Sequence, residues 1–124
     1  MELTKAEEQV MQILWKLKKA FVKEIISEFK EPKPAYNTVS TIIRILEKKQ
    51  FVSHESFGKT YRYYPLVEED EYKKKSLNKM IKSYFNNSYK NLVSFFSKNE
   101  NLTIEEMEEI KKMIDERINN LKNN

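Results

Sequence analysis

A single glycine, Gly58, constrains this chain of 124 residues more than any other feature. Folds with many β-strands need frequent turn residues, and the chain adds only three prolines to that one glycine. Glycine-rich phosphate-binding loops need several glycines at fixed spacing. The composition therefore predicts a mainly helical protein and excludes nucleotide sites of the glycine-rich kind.

Residues that carry covalent or metal chemistry are scarce. The chain has no cysteine and one histidine, His54, so it has no thiol nucleophile or thiolate metal site and little capacity for histidine acid–base catalysis. We therefore expect no enzymatic activity, metal, cofactor or small-molecule substrate. No apolar run approaches the roughly 18 residues that span a bilayer, and residues 1–20 have no signal-peptide core. We expect a cytoplasmic protein.

Two helices are predicted near the start of the chain. Thr4 and Glu7 match a capping box, and apolar residues then recur at helical spacing over about residues 5–18. A second apolar pattern covers about residues 21–30. It must end there because prolines, which a helix interior excludes, follow at Pro32 and Pro34.

A third helix, over about residues 35–49, has two contrasting faces. One is an apolar stripe, and the other carries hydrogen-bonding and cationic groups with no acid at its centre. Asn, Arg, Ser and Thr side chains pair with base edges in the major groove, whereas Lys contacts phosphate. The alternative for such a face is a solvated surface without a ligand. We predict DNA contacts by Asn37, Thr38, Ser40, Thr41, Arg44 and Lys48.

Residues 51–65 are β-prone and partly alternating, and Gly58 lies where a hairpin turn needs a positive φ. We predict a two-stranded hairpin that Pro65 closes. Three helices followed by a hairpin are typical of a winged helix, whose second and third helices form a helix-turn-helix. Lys59 and Arg62 on the wing are predicted to contact the DNA backbone or minor groove.

The distribution of charge supports this interpretation. Residues 1–67 hold 12 Lys and Arg against 8 Asp and Glu, whereas residues 68–124 hold 11 of each, so the net charge of +4 lies in the first half. A polyanion-binding module followed by a neutral interaction module would have this asymmetry.

The second half is predicted to be helical and self-associating. A helix over about residues 69–84, a short helix rich in large apolar groups and a long amphipathic helix capped by Thr103 lack an obvious partner within the chain. A symmetric dimer would cover them and would match a palindromic DNA site. The alternative is packing within one chain. The predicted interface comprises Phe85, Leu92, Val93, Phe95, Phe96, Ile110, Ile114 and Ile118.

The predicted fold class is therefore mainly α with a small β-hairpin wing. A winged helix-turn-helix DNA-binding domain would occupy residues 1–67, and a helical dimerisation domain residues 68–124. We expect a dimeric, sequence-specific transcriptional repressor. The alternative is a winged-helix protein-interaction adaptor without specific DNA binding.

Four segments resemble a known family in order over about residues 2–118. They are LTKAE from Leu3 with the following VM and LW, NTVSTIIR from Asn37, the wing and its exit from Gly58 to Leu66, and LTIEE from Leu102. They are similar to motifs of the penicillinase repressor family, the BlaI/MecI/CopY group of bacterial winged-helix repressors. The resemblance implies a homodimer on double-stranded DNA at an inverted repeat with half-sites like TACA and TGTA. It also implies control of resistance or envelope genes, and relief by a membrane-embedded sensor metalloprotease that cuts the dimerisation region.

The chain departs from the family pattern at three places. Ile45 stands where the family usually has an arginine, after the third-helix motif. Gln50 stands where the family usually has a glycine, before the first wing strand. Where β-lactam-responsive repressors are cleaved between Asn and Phe, this chain reads Phe95-Phe96, which is the candidate cleavage site. The lack of cysteine excludes the copper-sensing branch, which carries a C-terminal cysteine cluster.

Overall fold

The computed structural model describes residues 2–124. The chain divides into two compact units, one up to Lys75 and one over Ser76–Asn124. Helices and one small sheet confirm the predicted mainly α fold with a β-hairpin wing. The division by compactness falls inside the fourth helix, whereas the domain boundary that we expect from function lies after residue 67. That domain assignment stays a prediction.

Three helices belong to the first unit: α1 (Lys5–Leu17), α2 (Val22–Ser27) and α3 (Tyr36–Lys48). The capping box predicted for α1 is present, since the Thr4 hydroxyl accepts from the Glu7 N–H at 3.2 Å and the Glu7 carboxylate accepts from the Thr4 N–H at 2.9 Å. Helix α2 is shorter than the 21–30 segment predicted for it. Phe21 is its N-cap rather than part of the helix.

The sheet of the first unit has three strands, one more than the two-stranded hairpin that the sequence predicts. Strand β1 (Ala20–Phe21) pairs antiparallel with β3 (Thr60–Pro65), and β3 pairs antiparallel with β2 (Val52–Phe57). The predicted hairpin is therefore correct but incomplete. A strand of two residues is too short to show alternation, and Phe21 also fits the apolar spacing of the helix that follows.

One apolar core joins the three helices to the sheet. Helix α3 contributes Val39, Ile43 and Leu46, all fully buried, so its opposite side is left to solvent. The Trp15 indole N–H donates to the Val67 carbonyl at 2.8 Å and fixes the exit from the wing. The buried cluster comprises Val10, Met11, Leu14, Ala20, Val22, Ile25, Val39, Ile43, Leu46, Phe51, Val52 and Tyr63.

Two turns flank β2, and both use a positive φ. Gly58 has φ +61° at the wing tip with open space around the position of a Cβ, which confirms the predicted turn. Gln50, between α3 and β2, has φ 66°. A non-glycine residue in this left-handed region is strained because its Cβ crowds the following carbonyl oxygen. The departure from glycine at residue 50 therefore costs stability.

Replacing Gln50 with glycine should raise the free energy of unfolding by about 1 kcal/mol, because the strain of a left-handed side chain exceeds the added freedom of the unfolded chain. Urea denaturation of the two proteins measures the difference. Gly58→Ala is the matched control and should change stability by a similar amount in the opposite direction. A Gln50→Gly protein less stable than the wild type would contradict the assignment.

The second unit continues from α4 (Glu69–Tyr84), whose bounds are those predicted, into α5 (Tyr89–Ser97) and α6 (Ile104–Lys122). Asn86 and Asn87 have φ 51° and 58° and interrupt the helix after α4, as the sequence predicts. The predicted Thr103 capping box at the start of α6 is present. Neither α5 nor α6 contains a buried residue, so both helices keep their apolar side chains at least partly exposed.

Within residues 2–124, the structure has no helix with the combination of length and apolar character that a bilayer span requires.

Candidate nucleic-acid interface

The polar face of α3 points away from the core. Val39, Ile43 and Leu46 anchor one side of the helix, and five of the six residues predicted to contact DNA lie exposed on other sides. Ser40 is half-buried. The exposed residues are Asn37, Thr38, Thr41, Arg44 and Lys48.

Two hydrogen bonds within α3 set which groups are available to a ligand. Arg44 Nη2 donates to the Ser40 hydroxyl oxygen at 3.2 Å, which holds the guanidinium beside the neighbouring turn. The Thr41 hydroxyl donates to the Asn37 carbonyl at 2.8 Å. Arg44 therefore keeps most of its donors free, whereas Thr41 has used its only side-chain donor inside the helix.

A cleft of about 650 Å³ separates α3 from the wing. Ser40 and Arg44 line it from the helix side, and Lys59 lines it from the wing tip. Three predicted DNA-contacting residues from two elements thus share one concave surface. The full lining is Phe21, Val22, Lys23, Glu24, Tyr36, Ser40, Arg44, Glu47, Lys59, Thr60, Tyr61 and Tyr63.

The cleft has an excess of positive charge. Among residues 2–124, no carboxylate forms an ion pair with Lys23, Arg44 or Lys59. The two acids in the lining are engaged elsewhere, since Glu24 accepts from the Phe21 N–H at 2.9 Å and Glu47 pairs with a histidine. The lining thus holds three cations against two carboxylates, and this small positive excess favours a polyanion.

His54 links the wing to α3. Its Nδ1 lies 2.5 Å from Oε2 of Glu47, and its ring stacks on Tyr61 with the centroids 4.2 Å apart. Tyr63 beneath them is buried, and burial, with the nearby Glu47 charge, raises the pKa of its phenol. Tyr63 thus packs on the core from the wing. Together these contacts orient the hairpin against α3.

Arg62 does not line the cleft with the other predicted residues. In the strand register it lies opposite Glu55 and Phe21, and strand alternation puts it on the other side of the hairpin from Tyr61 and Tyr63. Its Nε is buried and has no hydrogen-bond partner among residues 2–124. A DNA contact by Arg62 therefore stays a prediction without support from the cleft geometry.

Sequence reasoning missed two cleft residues, Tyr36 and Lys23. Tyr36 precedes Ser40 by four residues and Arg44 by eight, so helical spacing alone placed it on their face of α3. Lys23 lies on α2 and is joined to the cleft only by the packing of α2 against α3. No local pattern in the sequence indicates such a long-range neighbour.

The second unit presents a separate apolar surface. Val93 and Phe96 of α5 and Ile110 and Ile114 of α6 line a groove of about 240 Å³, which also includes Met107. Of the eight residues predicted for dimerisation, none is buried, and Phe95 is 70% exposed. The half-buried ones are Phe85, Leu92, Phe96 and Ile110, and the exposed ones are Val93, Phe95, Ile114 and Ile118.

The candidate cleavage pair Phe95-Phe96 lies in the last turn of α5. The Lys98 N–H donates to the Phe95 carbonyl at 3.3 Å, and the Asn99 N–H donates to the Phe96 carbonyl at 3.0 Å. A protease that binds an extended substrate would have to unwind this turn. The turn has no buried residue to resist unwinding.

Three or more His, Cys, Asp or Glu side chains able to hold a metal ion do not come together anywhere in the part of the chain that the structure describes.

Comparison with known proteins identifies the family. The sequence profile of the penicillinase repressor family matches residues 3–116. The methicillin resistance regulatory protein MecI of Staphylococcus aureus strain N315 is 32% identical over 117 residues, which cover 94% of this chain and 95% of that protein. A penicillinase repressor of Staphylococcus aureus is 30% identical over 93% of this chain and 92% of its own length, and one of Bacillus licheniformis is 25% identical over 98% and 95%. The chain therefore belongs to the penicillinase repressor family, a family of transcriptional repressors and not of enzymes.

Proposed function

We propose that this protein is a dimeric repressor that binds an inverted-repeat operator in the bacterial cytoplasm. The observation that carries the proposal is the cleft between α3 and the wing, where Lys23, Arg44 and Lys59 lie without carboxylate partners among residues 2–124. An α-helix with such a face fits the major groove, and a flanking wing fits the adjacent backbone.

Base reading and backbone binding would divide between residues. Asn37, Thr38 and Arg44 are exposed and have side chains that pair with base edges. Ser40 and Thr41 share in this reading at the same helix face. Lys48, Lys59 and Arg62, with Lys23, would contact phosphates, which supply affinity but no sequence preference.

Two chains would pair through the second unit. The apolar groove between α5 and α6 and the exposed side chains beside it offer a self-complementary surface, since a twofold axis presents the same patch on both copies. Two reading heads then match the two halves of a palindrome. The partners of the protein are therefore double-stranded DNA and a second copy of itself.

Relief of repression would come from proteolysis in the second unit. A membrane-embedded sensor metalloprotease is the proposed partner, and the Phe95-Phe96 bond is the proposed cut. This proposal is supported by the position of the bond in a short helix without buried residues, where local unwinding costs little free energy. A cut there would separate α6 from the rest of the chain and remove half of the groove.

Selection of bound duplexes from a random pool tests the function. We expect an inverted repeat to be enriched, and its affinity should fall linearly with the logarithm of salt concentration, with a slope of about −0.9 per phosphate contacted. A chain that binds no duplex even at low salt would contradict the proposal and favour the protein-interaction adaptor.

Replacing Ile114 with serine should weaken the dimer by about 2 kcal/mol, or roughly thirtyfold in Kd, because each of two copies loses apolar surface from the interface. Ile114 is 47% exposed in the single chain, so the fold itself should tolerate the change. Sedimentation equilibrium measures the Kd. Asn119→Ser, an exposed residue elsewhere on α6, is the matched control and should leave the dimer intact. Equal Kd values for the wild type and Ile114→Ser would remove Ile114 from the interface.

A further inference from the structure

Ile45 is an aliphatic side chain on the otherwise polar outer surface of α3. It is 39% exposed, whereas Val39, Ile43 and Leu46 are fully buried. It follows Thr41 by four residues and Thr38 by seven, and those spacings place the three on one stripe of the helix. Thr41, in the middle of this stripe, already donates its hydroxyl proton to the Asn37 carbonyl.

At Thr41 and Ile45 the stripe therefore offers methyl groups rather than hydrogen-bond donors, and the next exposed residue at this spacing is the cation Lys48. In the major groove every base presents polar atoms, and thymine alone also presents a methyl group. An aliphatic side chain recognises that methyl by apolar contact and leaves the polar edges of other bases unpaired. The chemistry of Ile45 thus matches one base and disfavours the others.

We infer that Ile45 determines operator specificity by contacting a thymine 5-methyl group in the major groove. This inference rests on the proposed function, since it needs α3 to lie in that groove. It assigns a base preference to a side chain that has no hydrogen-bond donor or acceptor. Arg44, its neighbour, faces the cleft and the wing, so the two side chains would read different parts of the site.

A methyl-deletion scan tests the inference at the level of one carbon atom. Each thymine of the selected operator is replaced singly by deoxyuridine, which lacks only the 5-methyl group, and the Kd is measured for the wild type, Ile45→Ala and Ile45→Val. For the wild type, we expect one thymine in each half-site whose replacement weakens binding about fourfold, the value for one buried methyl. That penalty should vanish in Ile45→Ala and persist in large part in Ile45→Val.

The outcomes separate this inference from the function on which it rests. If no uridine weakens wild-type binding, no thymine methyl is read, and if the penalties are the same in Ile45→Ala, another group reads the methyl. Either result overturns the inference while DNA binding stands. If no duplex is selected at all, the proposed function fails first. Ile45→Ala removes apolar surface that the fold partly covers, so we expect a modestly lower melting temperature and a protein that stays folded at the temperature of the binding assay.

Discussion

Replacing Lys49 with methionine should lower the free energy of unfolding by about 3 kcal/mol. Lys49 Nζ lies 2.7 Å from Oε1 of Glu7, whose side chain is only 6% exposed. Methionine fills similar space but leaves a buried carboxylate without its cation. Because Glu7 is on α1 and Lys49 follows α3, the pair also ties the end of α3 to α1. Guanidinium denaturation of the two proteins measures the loss.

Lys48→Met is the matched control for this experiment. Lys48 is adjacent and exposed, and no salt bridge of residues 2–124 includes it, so its replacement should change stability by less than about 0.5 kcal/mol. Adding Glu7→Gln to Lys49→Met should recover part of the loss, because glutamine is neutral and keeps an acceptor for the Thr4 N–H. Equal stabilities for Lys48→Met and Lys49→Met would show that the ion pair contributes nothing.

The same pair predicts a pH dependence. Burial alone would raise the pKa of the Glu7 carboxyl, but the hydrogen bond and charge of Lys49, together with Thr4, outweigh burial and hold the pKa below its ordinary value of 4.5. A carboxyl with a lowered folded-state pKa stabilises the fold at higher pH. That stability is lost as the pH falls below about 4.5 and through the lower folded-state value. The loss should be smaller in Lys49→Met.

Replacing Arg44 with alanine should weaken binding to the selected operator by about 1–3 kcal/mol, or roughly 5- to 150-fold in Kd, if the guanidinium contacts a base with two hydrogen bonds. Binding to a random duplex should change far less, because base reading contributes nothing there. Fluorescence anisotropy on the two duplexes at one salt concentration measures both values. The comparison of the two duplexes distinguishes a base contact by Arg44 from a phosphate contact.

Lys59→Ala is the contrasting variant. As a wing-tip cation that would contact phosphate, it should lose similar affinity on both duplexes and reduce the salt slope by about 1. Arg44→Lys keeps the charge of Arg44 but not its planar fork, so it should resemble Arg44→Ala on the operator. An Arg44→Ala loss of equal size on random DNA would reassign Arg44 to the backbone.

Local signals sufficed for the helices and the wing. The bounds of α4 agree with the prediction because an acidic first turn and an Asn-Asn interruption mark its two ends. The turn at Gly58 was predictable because it holds the only glycine of the chain. The wing strands were predictable from β-branched and aromatic residues on both sides of that turn.

Features that depend on tertiary neighbours were missed. Strand β1 exists because β3 offers it a free edge, which two residues of sequence cannot reveal. Lys23 joins the cleft only through the packing of α2, and the ion pair of Glu47 in that cleft depends on His54 of the neighbouring strand. The helix faces were thus predictable from periodicity, whereas the charge that each face presents depends on residues distant in the chain.

The lack of buried residues in α5 and α6 has a consequence for gene control. In the proposed dimer, pairing follows mass action, so the number of paired chains grows with the square of copy number while most chains are single. Operator occupancy then rises more steeply than synthesis. A protease that cuts only a fraction of the chains would therefore lower operator occupancy by more than that fraction. Because α5 and α6 are covered only when two chains pair, repression would respond steeply to the number of intact chains.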